Sequence, residues 1–428
     1  MKDSGIDWIG KIPDEWEIYQ LSQIATQVKN KNNNLQERNL LSLSYGKIKR
    51  KNIDSSDGLL PASFDGYNII ENEDIVLRLT DLQNDHTSLR VGRATEKGII
   101  TSAYTTLRPI NKNNSRFLYY LLHAFDLKKG FYGMGAGVRQ GLNYSEVKSL
   151  KIILPPLSEQ TKIARFLDKK CAQIDSIIEE SKKSIEEYKS WKQSMIFEAV
   201  TGKNLSCKKK NSGIEWISEI PEKWEVQRLK SYFNFKKGLP ITKENLKDSG
   251  ISVISYGQIH SKNNNGVSIC NELIRFVDKS YLKSNSESLV KKGDFIFADT
   301  SEDLEDCGNC AYVNSDEIIF AGYHTIIFSS KYQNENKYLA YLFLTDAWRT
   351  QIRCNCSGVK LFSITKKILS KVSIILPPLF EQKSIAKFLD TKCAQIDSLI
   401  SEKQSLIKDL AEYKKSLIFE AVTGKRRV

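Results

Sequence analysis

The apolar positions of residues 158–203 fall at alternating steps of three and four. Leu167, Cys171, Ile174, Ile178, Ile185, Tyr188 and Met195 form one stripe, the spacing of a helix that packs along a single seam. Leu389, Cys393, Ile396, Ile400, Ile407, Leu410 and Leu417 trace the same stripe further along the chain. Each run starts just after a Pro-Pro pair, Pro155-Pro156 or Pro377-Pro378, and ends at a glycine, Gly202 or Gly424. Proline neither extends a ladder nor continues a helix, and glycine is the usual residue at a helix C-terminal stop. The pattern predicts two long helices, each spanning roughly 60 Å at about 1.5 Å per residue. One such helix alone cannot bury its stripe. Two copies in one chain can pack on each other, and antiparallel packing gives a pseudo-twofold molecule.

Between these helices the periods are shorter. Residues 74–78 and 294–298 run apolar or alternate and read as strands. Residues 117–125 and 338–344 read as short buried helices, and the loops between them are rich in Asn, Lys, Tyr and Gly. The expected fold class is α+β: two α/β recognition regions separated by two long antiparallel coiled-coil helices, with a pseudo-twofold internal repeat. The expected boundaries are 1–150 for the first recognition region and 151–203 for the first spacer helix. A linker follows at 204–212, then the second region at 213–372 and the second spacer helix at 373–428.

The duplication is legible residue by residue. Gly5-Ile-Asp-Trp-Ile-Gly-Lys-Ile-Pro-Asp-Glu-Trp-Glu17 recurs as Gly213-Ile-Glu-Trp-Ile-Ser-Glu-Ile-Pro-Glu-Lys-Trp-Glu225, an offset of 208. Ile153-Leu-Pro-Pro-Leu-Ser-Glu-Gln160 recurs as Ile375-Leu-Pro-Pro-Leu-Phe-Glu-Gln382, an offset of 222. Segments 158–203 and 380–425 share 27 of 46 positions, whereas the regions before them diverge and absorb 14 extra residues in the second half. Weak landmarks survive there, Ser44-Tyr-Gly-Lys-Ile48 against Ser255-Tyr-Gly-Gln-Ile259 and Gly137-Val-Arg139 against Gly358-Val-Lys360.

Charge sharpens this division. The chain of 428 residues carries a formal +13, a balance that favours polyanionic partners. The two helical segments hold 9 and 8 basic against 8 and 7 acidic residues, so they supply only +2 of it. The excess lies in the divergent regions, where phosphate contacts are expected. Base edges are read by Arg, Lys, Asn, Gln, Ser and Thr. On residue type, the first region offers Tyr45, Lys47, Arg78, Thr80, Arg90, Arg93, Arg139, Gln140 and Asn143, and the second offers Tyr256, Gln258, Thr300, Ser301, His324 and Lys360. The glycine-flanked loop 137–143 is the most promising single stretch. For any one of these residues an ordinary solvated loop position is the competing explanation.

The sequence carries none of the catalytic motifs that duplex-DNA chemistry would use. Phe131-Tyr-Gly-Met-Gly135 follows a helical run rather than a strand, so it reads as a decoy of a methyltransferase glycine turn. No Asn/Asp-Pro-Pro-Tyr/Phe motif and no Gly-x4-Gly-Lys-Ser/Thr phosphate loop exists. Pro13-Asp14 lacks the downstream Glu-x-Lys of a nuclease. Cys307-x-x-Cys310 and Cys354-x-Cys356 could be two halves of a zinc site, but the second spacing is too short for a usual finger and the first half has no counterpart, which favours reduced thiols. Cys171 and Cys393 sit on the helical stripe and read as core. No catalytic residue, metal or resident cofactor is expected. The absence of a signal peptide or an apolar run of membrane length implies a cytoplasmic protein. The alternatives are an enzyme with unrecognised motifs and a coiled-coil scaffold without a nucleic-acid role.

The repeated Trp-Ile-x-x-Ile-Pro-x-x-Trp-Glu opening and the Leu-Pro-Pro-Leu-x-Glu-Gln-x-x-Ile-Ala-x-Phe-Leu-Asp block at 154–168 and 376–390 resemble the specificity subunit of type I restriction-modification systems. The resemblance covers essentially the whole chain. It implies two target recognition domains, each reading half of a split double-stranded DNA site, and conserved helices that fix the gap between the halves. It also implies two docked modification subunits, which bring S-adenosylmethionine and methylate adenine, and two restriction subunits, which bring ATP, Mg and DNA translocation and cleavage. The host would be bacterial or archaeal. Because the two regions differ in length and content, the half-sites should differ in sequence.

Overall fold

A computed structural model describes residues 1–54, 61, 63–82, 85, 87–111, 114–134, 141–332, 336–358 and 360–428. Its elements form a mixed α/β chain with two long helices, Leu157–Thr201 and Leu379–Val422. None of the fourteen stripe residues named above is exposed, and Cys171 and Cys393 are both buried. The chain divides into two compact units, residues 1–182 with 403–428 and residues 183–402. Each unit therefore holds the start of one long helix and the end of the other.

Both units are built on the same antiparallel four-stranded sheet. In the first, the strand order is Ala25–Gln27, Thr105–Pro109, Ile75–Leu77, Val91–Arg93. In the second it is Phe233–Lys237, Thr325–Ser330, Phe295–Ala298, Cys310–Tyr312. The central strands Ile75–Leu77 and Phe295–Ala298 are buried along their whole length. That burial explains why they read as apolar runs rather than alternating ones. One helix covers each sheet, Ser115–Leu127 in the first unit and Lys337–Leu344 in the second. The strand before each Pro-Pro, Lys151–Leu154 or Ser373–Leu376, pairs with the strand that follows the opening repeat, Glu17–Gln20 or Glu225–Arg228.

The conserved block acquires a physical meaning within each unit. Trp16 is fully buried and its Nε1–H donates to Glu159, at 3.0 Å; Trp224 does the same with Glu381, at 2.8 Å. The Gln160 and Gln382 amides donate to the carbonyls of Pro155 and Pro377, at 2.7 and 2.8 Å. Asp168 accepts from the Tyr120 hydroxyl at 2.8 Å and pairs with Arg116, while Asp390 accepts from Tyr341 at 2.7 Å and pairs with Lys337. Glu and Asp of this motif thus fasten the rest of each unit to the start of its long helix, while Gln closes the turn that begins the helix.

The end of the other helix completes each core. Leu417, Ile418, Ala421 and Val422 join Leu167, Cys171 and Ile174 in the first unit. Ile196, Ala199 and Val200 join Leu389 and Cys393 in the second. Lys414 reaches Asp175 at 2.6 Å, and in the other unit Lys192 reaches Asp397 at 2.7 Å. The glycine stops carry φ of +66° at Gly202 and +71° at Gly424, the left-handed conformation in which a Cβ is strained. Here a Cβ would also strike a proline ring, Pro221 or Pro13, at 2.5 or 2.4 Å.

Candidate nucleic-acid interface

The landmark Ser-Tyr-Gly adopts two conformations. In the first unit Tyr45 and Gly46 have positive φ, 48° and 75°, and turn the hairpin between Leu41–Ser44 and Lys47–Arg50. In the second unit Tyr256–Ile259 is a helical turn instead. There Gln258 Oε1 accepts from Ser255 N–H at 3.1 Å and completes a capping box. Lysine, which stands at the matching position 47, has no acceptor to offer. Gln258, named above as a base reader, therefore spends its Oε1 on its own backbone, as Asn143 spends its Oδ1 on Ser145 N–H.

In the first unit the candidates converge around the loop that follows strand Ile75–Leu77. Tyr45 is 79% exposed at the hairpin tip. Gly46 lies against Leu89, where a Cβ would stand 3.1 Å from the leucine Cβ. Lys47 extends to Asp175, at 3.5 Å. Thr80 is exposed, whereas Arg78 is half-buried and 3.5 Å from Asp85. The Asp85 carboxyl is held well below the usual carboxylate range, first by the hydrogen bond from the Ser88 side chain. Leu142 N–H donates to Leu79 O at 2.8 Å, which brings exposed Asn143 beside the same loop. Asn143 also caps the helix Tyr144–Val147 through Ser145 N–H. Arg139, Gln140 and most of loop 137–143 lie outside the described residues, as does Gly135 of the glycine decoy.

Two arginines need correction as direct readers. Arg93 is mostly buried and paired with Glu73 at 2.6 Å. Arg90 has no exposed surface, and all its guanidinium donors are spent on protein oxygens. Residue type alone does not distinguish a reading arginine from one that holds the loop.

The second unit repeats the scheme with other chemistry. Ile364 N–H donates to Asp299 O at 2.8 Å, the counterpart of Leu142 on Leu79. Thr300 pairs with Ser363 across a two-residue ladder, and its carbonyl lies 2.9 Å from His260 Nε2. His324 is exposed at φ 53°, with Nδ1 3.3 Å from Asp299 and the Tyr256 ring 5.4 Å away. Ser301 is buried and donates to Asp303 O, so it stands behind the surface rather than on it. Lys360 is exposed close to this ladder in sequence. His260, Asp299, Tyr323 and Asn309 belong to this cluster and were absent from the sequence candidates: Asp299 and Asn309 bound the loop that follows the buried strand, His260 meets Thr300 O and Asn309, and the Tyr323 ring lies against Tyr256 and His324. Only Asp299 and Asn309 carry a signal legible in sequence, their place in that loop.

A second kind of surface lies on the long helices. Ile177 and Trp191 on the first, and Leu399, Leu406 and Tyr413 on the second, are 39–54% exposed. They recur at heptad multiples, off the buried stripe. The eight cysteines are free thiols. Among the described residues no group of three or more His, Cys, Asp or Glu is placed to hold a metal, and no helix is long and apolar enough to cross a membrane.

Known proteins share this organisation. A specificity subunit of a type I restriction enzyme from Methanocaldococcus jannaschii, MjaVIII, is 25% identical over 427 residues, 98% of this chain and 94% of that protein. A second from the same organism, the putative MjaX subunit, is 28% identical over 447 residues, 98% of this chain and 96% of its own length. The HsdS subunit of Thermoanaerobacter tengcongensis shares the fold at a TM-score of 0.56 and 15% identity over the whole of both chains. A chain from a structure of type I R-M complex assembly and conformational transition reaches 0.70 at 16% identity, covering 97% of this chain and all of that one. The family model described as "Type I restriction modification DNA specificity domain" matches twice, at residues 13–187 and 221–409. Matched in both halves and over most of its length, the chain belongs to the type I restriction modification DNA specificity domain family.

Proposed function

We propose that the protein is the sequence-reading subunit of a type I restriction-modification complex and binds a split, asymmetric duplex target. The observation that carries this reading is the contrast between scaffold and loops. The same sheet and the same fasteners recur in both units, while the loops on one end of each sheet have diverged and the positive charge lies outside the helices. A scaffold kept constant under diverged polar loops is what two half-site readers require.

The finer assignments follow from the helices. Asp175 with Lys414 and Asp397 with Lys192 are related by the same offset of 222. This supports an antiparallel coiled-coil spacer between the readers. The exposed heptad positions Ile177, Trp191, Leu399, Leu406 and Tyr413 suit helices of two modification subunits, which would supply S-adenosylmethionine for adenine methylation. ATP- and Mg-dependent restriction subunits would complete the assembly. The chain contributes recognition and no reaction step of its own, and its place of work is the cytoplasm of a bacterial or archaeal cell.

The test is to express the chain with its partner subunits and sequence the methylated positions in cellular DNA. A two-part asymmetric motif is expected, and exchange of residues 18–150 for those of another family member should change one half alone. Methylation without a two-part motif, or a change in both halves after the exchange, would overturn the reading.

A further inference from the structure

Arg90 sits between the first reader's sheet and its loop with no surface exposed. Its Nη1 donates to Arg78 O and Thr80 O, at 3.1 and 2.8 Å, and its Nη2 to Asp81 O and Asp85 O, at 3.1 and 2.5 Å. Nε donates to the Tyr132 hydroxyl at 2.9 Å, and that hydroxyl donates onward to Asp85 O at 3.0 Å. Five guanidinium hydrogens thus meet four loop carbonyls and one phenol, which satisfies every donor the side chain has. The backbone of Arg90 is fixed as well, since its N–H donates to Asp126 Oδ2 at 2.7 Å. Four carbonyls drawn to one buried centre leave the loop side chains pointing elsewhere. Thr80 and Asp81 are exposed as a result, and Asp81 is held at φ 58°.

The matching loop of the second unit, 299–309, is held by different means: the Thr300–Ser363 ladder and His260 on the Thr300 carbonyl. The guanidinium centre belongs to the first unit, so its consequences should be confined to one half of the target.

We propose that Arg90 is a positioning residue for the first reader, whose buried guanidinium sets the loop conformation in which Arg78, Thr80 and Asn143 meet base edges. This rests on the reading of the chain as a DNA-recognition subunit. Lysine at position 90 keeps the charge and loses the planar fork. Tyr132→Phe keeps the ring and removes one acceptor and one donor from the centre.

The experiment selects bound duplexes from a randomised pool with the complete complex of this chain and its partner subunits. It compares the parent with Arg90→Lys and Tyr132→Phe and measures salt dependence alongside. In both variants, discrimination at bases of one half-site should fall by about tenfold per position, the size of a typical mismatch penalty. The other half-site and the salt slope should not change, because phosphate contacts are untouched. Full discrimination at both halves in both variants would overturn the proposal, and so would an equal loss at both halves. If Arg90→Lys yields no folded complex, Tyr132→Phe decides by the same outcomes. A parent complex that selects no sequence removes the underlying DNA reading itself, a result distinct from failure of the clamp.

Discussion

His123 and Asp126 stand on one turn of the helix Ser115–Leu127, and both are buried. Burial disfavours the charged form of each and so pushes them in opposite directions. The His123 imidazole falls to about 4, with Lys414 adding to the effect. The Asp126 carboxyl rises to about 6, opposed by the Arg90 N–H and by the charges of Lys129 and Arg90. A histidine depressed in the fold stabilises above its unfolded value, and that stability is lost as pH falls from about 6.5 through about 4. A carboxyl raised in the fold stabilises at acid pH, and that stability is lost as pH rises from about 4 through about 6. The two slopes therefore cancel over much of one window. Asp126→Asn keeps an acceptor for Arg90 and should gain about 1–3 kcal/mol on the parent at pH 7, a gain that disappears towards pH 4. His123→Gln should gain on the parent as pH falls. Urea midpoints across pH 4–7 check both, and two variants that track the parent in parallel would refute the assignment. Neither residue was singled out from sequence, because a buried ionisable group in an apolar run is invisible until its neighbours are known. The same limit explains Arg90, a candidate reader by type and a structural centre by environment.

At the scale of elements, what the sequence revealed depended on how local the cause was. The long helices, the central strands and the stops at Gly202 and Gly424 follow from period and punctuation, which are local. The Ser-Tyr-Gly landmark was found but its shape was not, since one copy turns a hairpin ladder and the other a capped helical turn. The conserved block was legible as a motif, yet its purpose needed three dimensions. Asp390 shows that purpose most clearly: it takes the buried Tyr341 hydroxyl and the Lys337 ammonium together. Asp390→Ala strands a buried hydroxyl and an ammonium and should cost about 1–3 kcal/mol. Amide exchange should speed up in Lys337–Leu344 before it does in the sheet, because that helix loses its fastening to the long helix. Denaturant titration with exchange mass spectrometry reads both effects. Unchanged stability would mean that packing alone seats the helix.

At the scale of the whole chain, duplication settles which changes the protein tolerates. Each unit takes the end of the other half's helix into its core, so the readers can diverge in their loops while the helices cannot change independently. The first unit uses Leu417, Ile418, Ala421 and Val422, and the second uses Ile196, Ala199 and Val200. If the helices pair as proposed above, lengthening one alone should leave one stripe without a partner and destabilise the protein. Lengthening both by one heptad, near Ser181 and near Lys403, should preserve the seam, because seven residues return the stripe to nearly the same face. Each insertion adds about 10 Å of helix. If the helices are the spacer proposed above, methylome sequencing of cells carrying the doubly extended chain with its partners should show both half-sites intact and the gap between them altered. The single insertions should give little methylation. An unaltered gap in a folded, active double insertion would show that something other than helix length sets the distance between the two halves of the target.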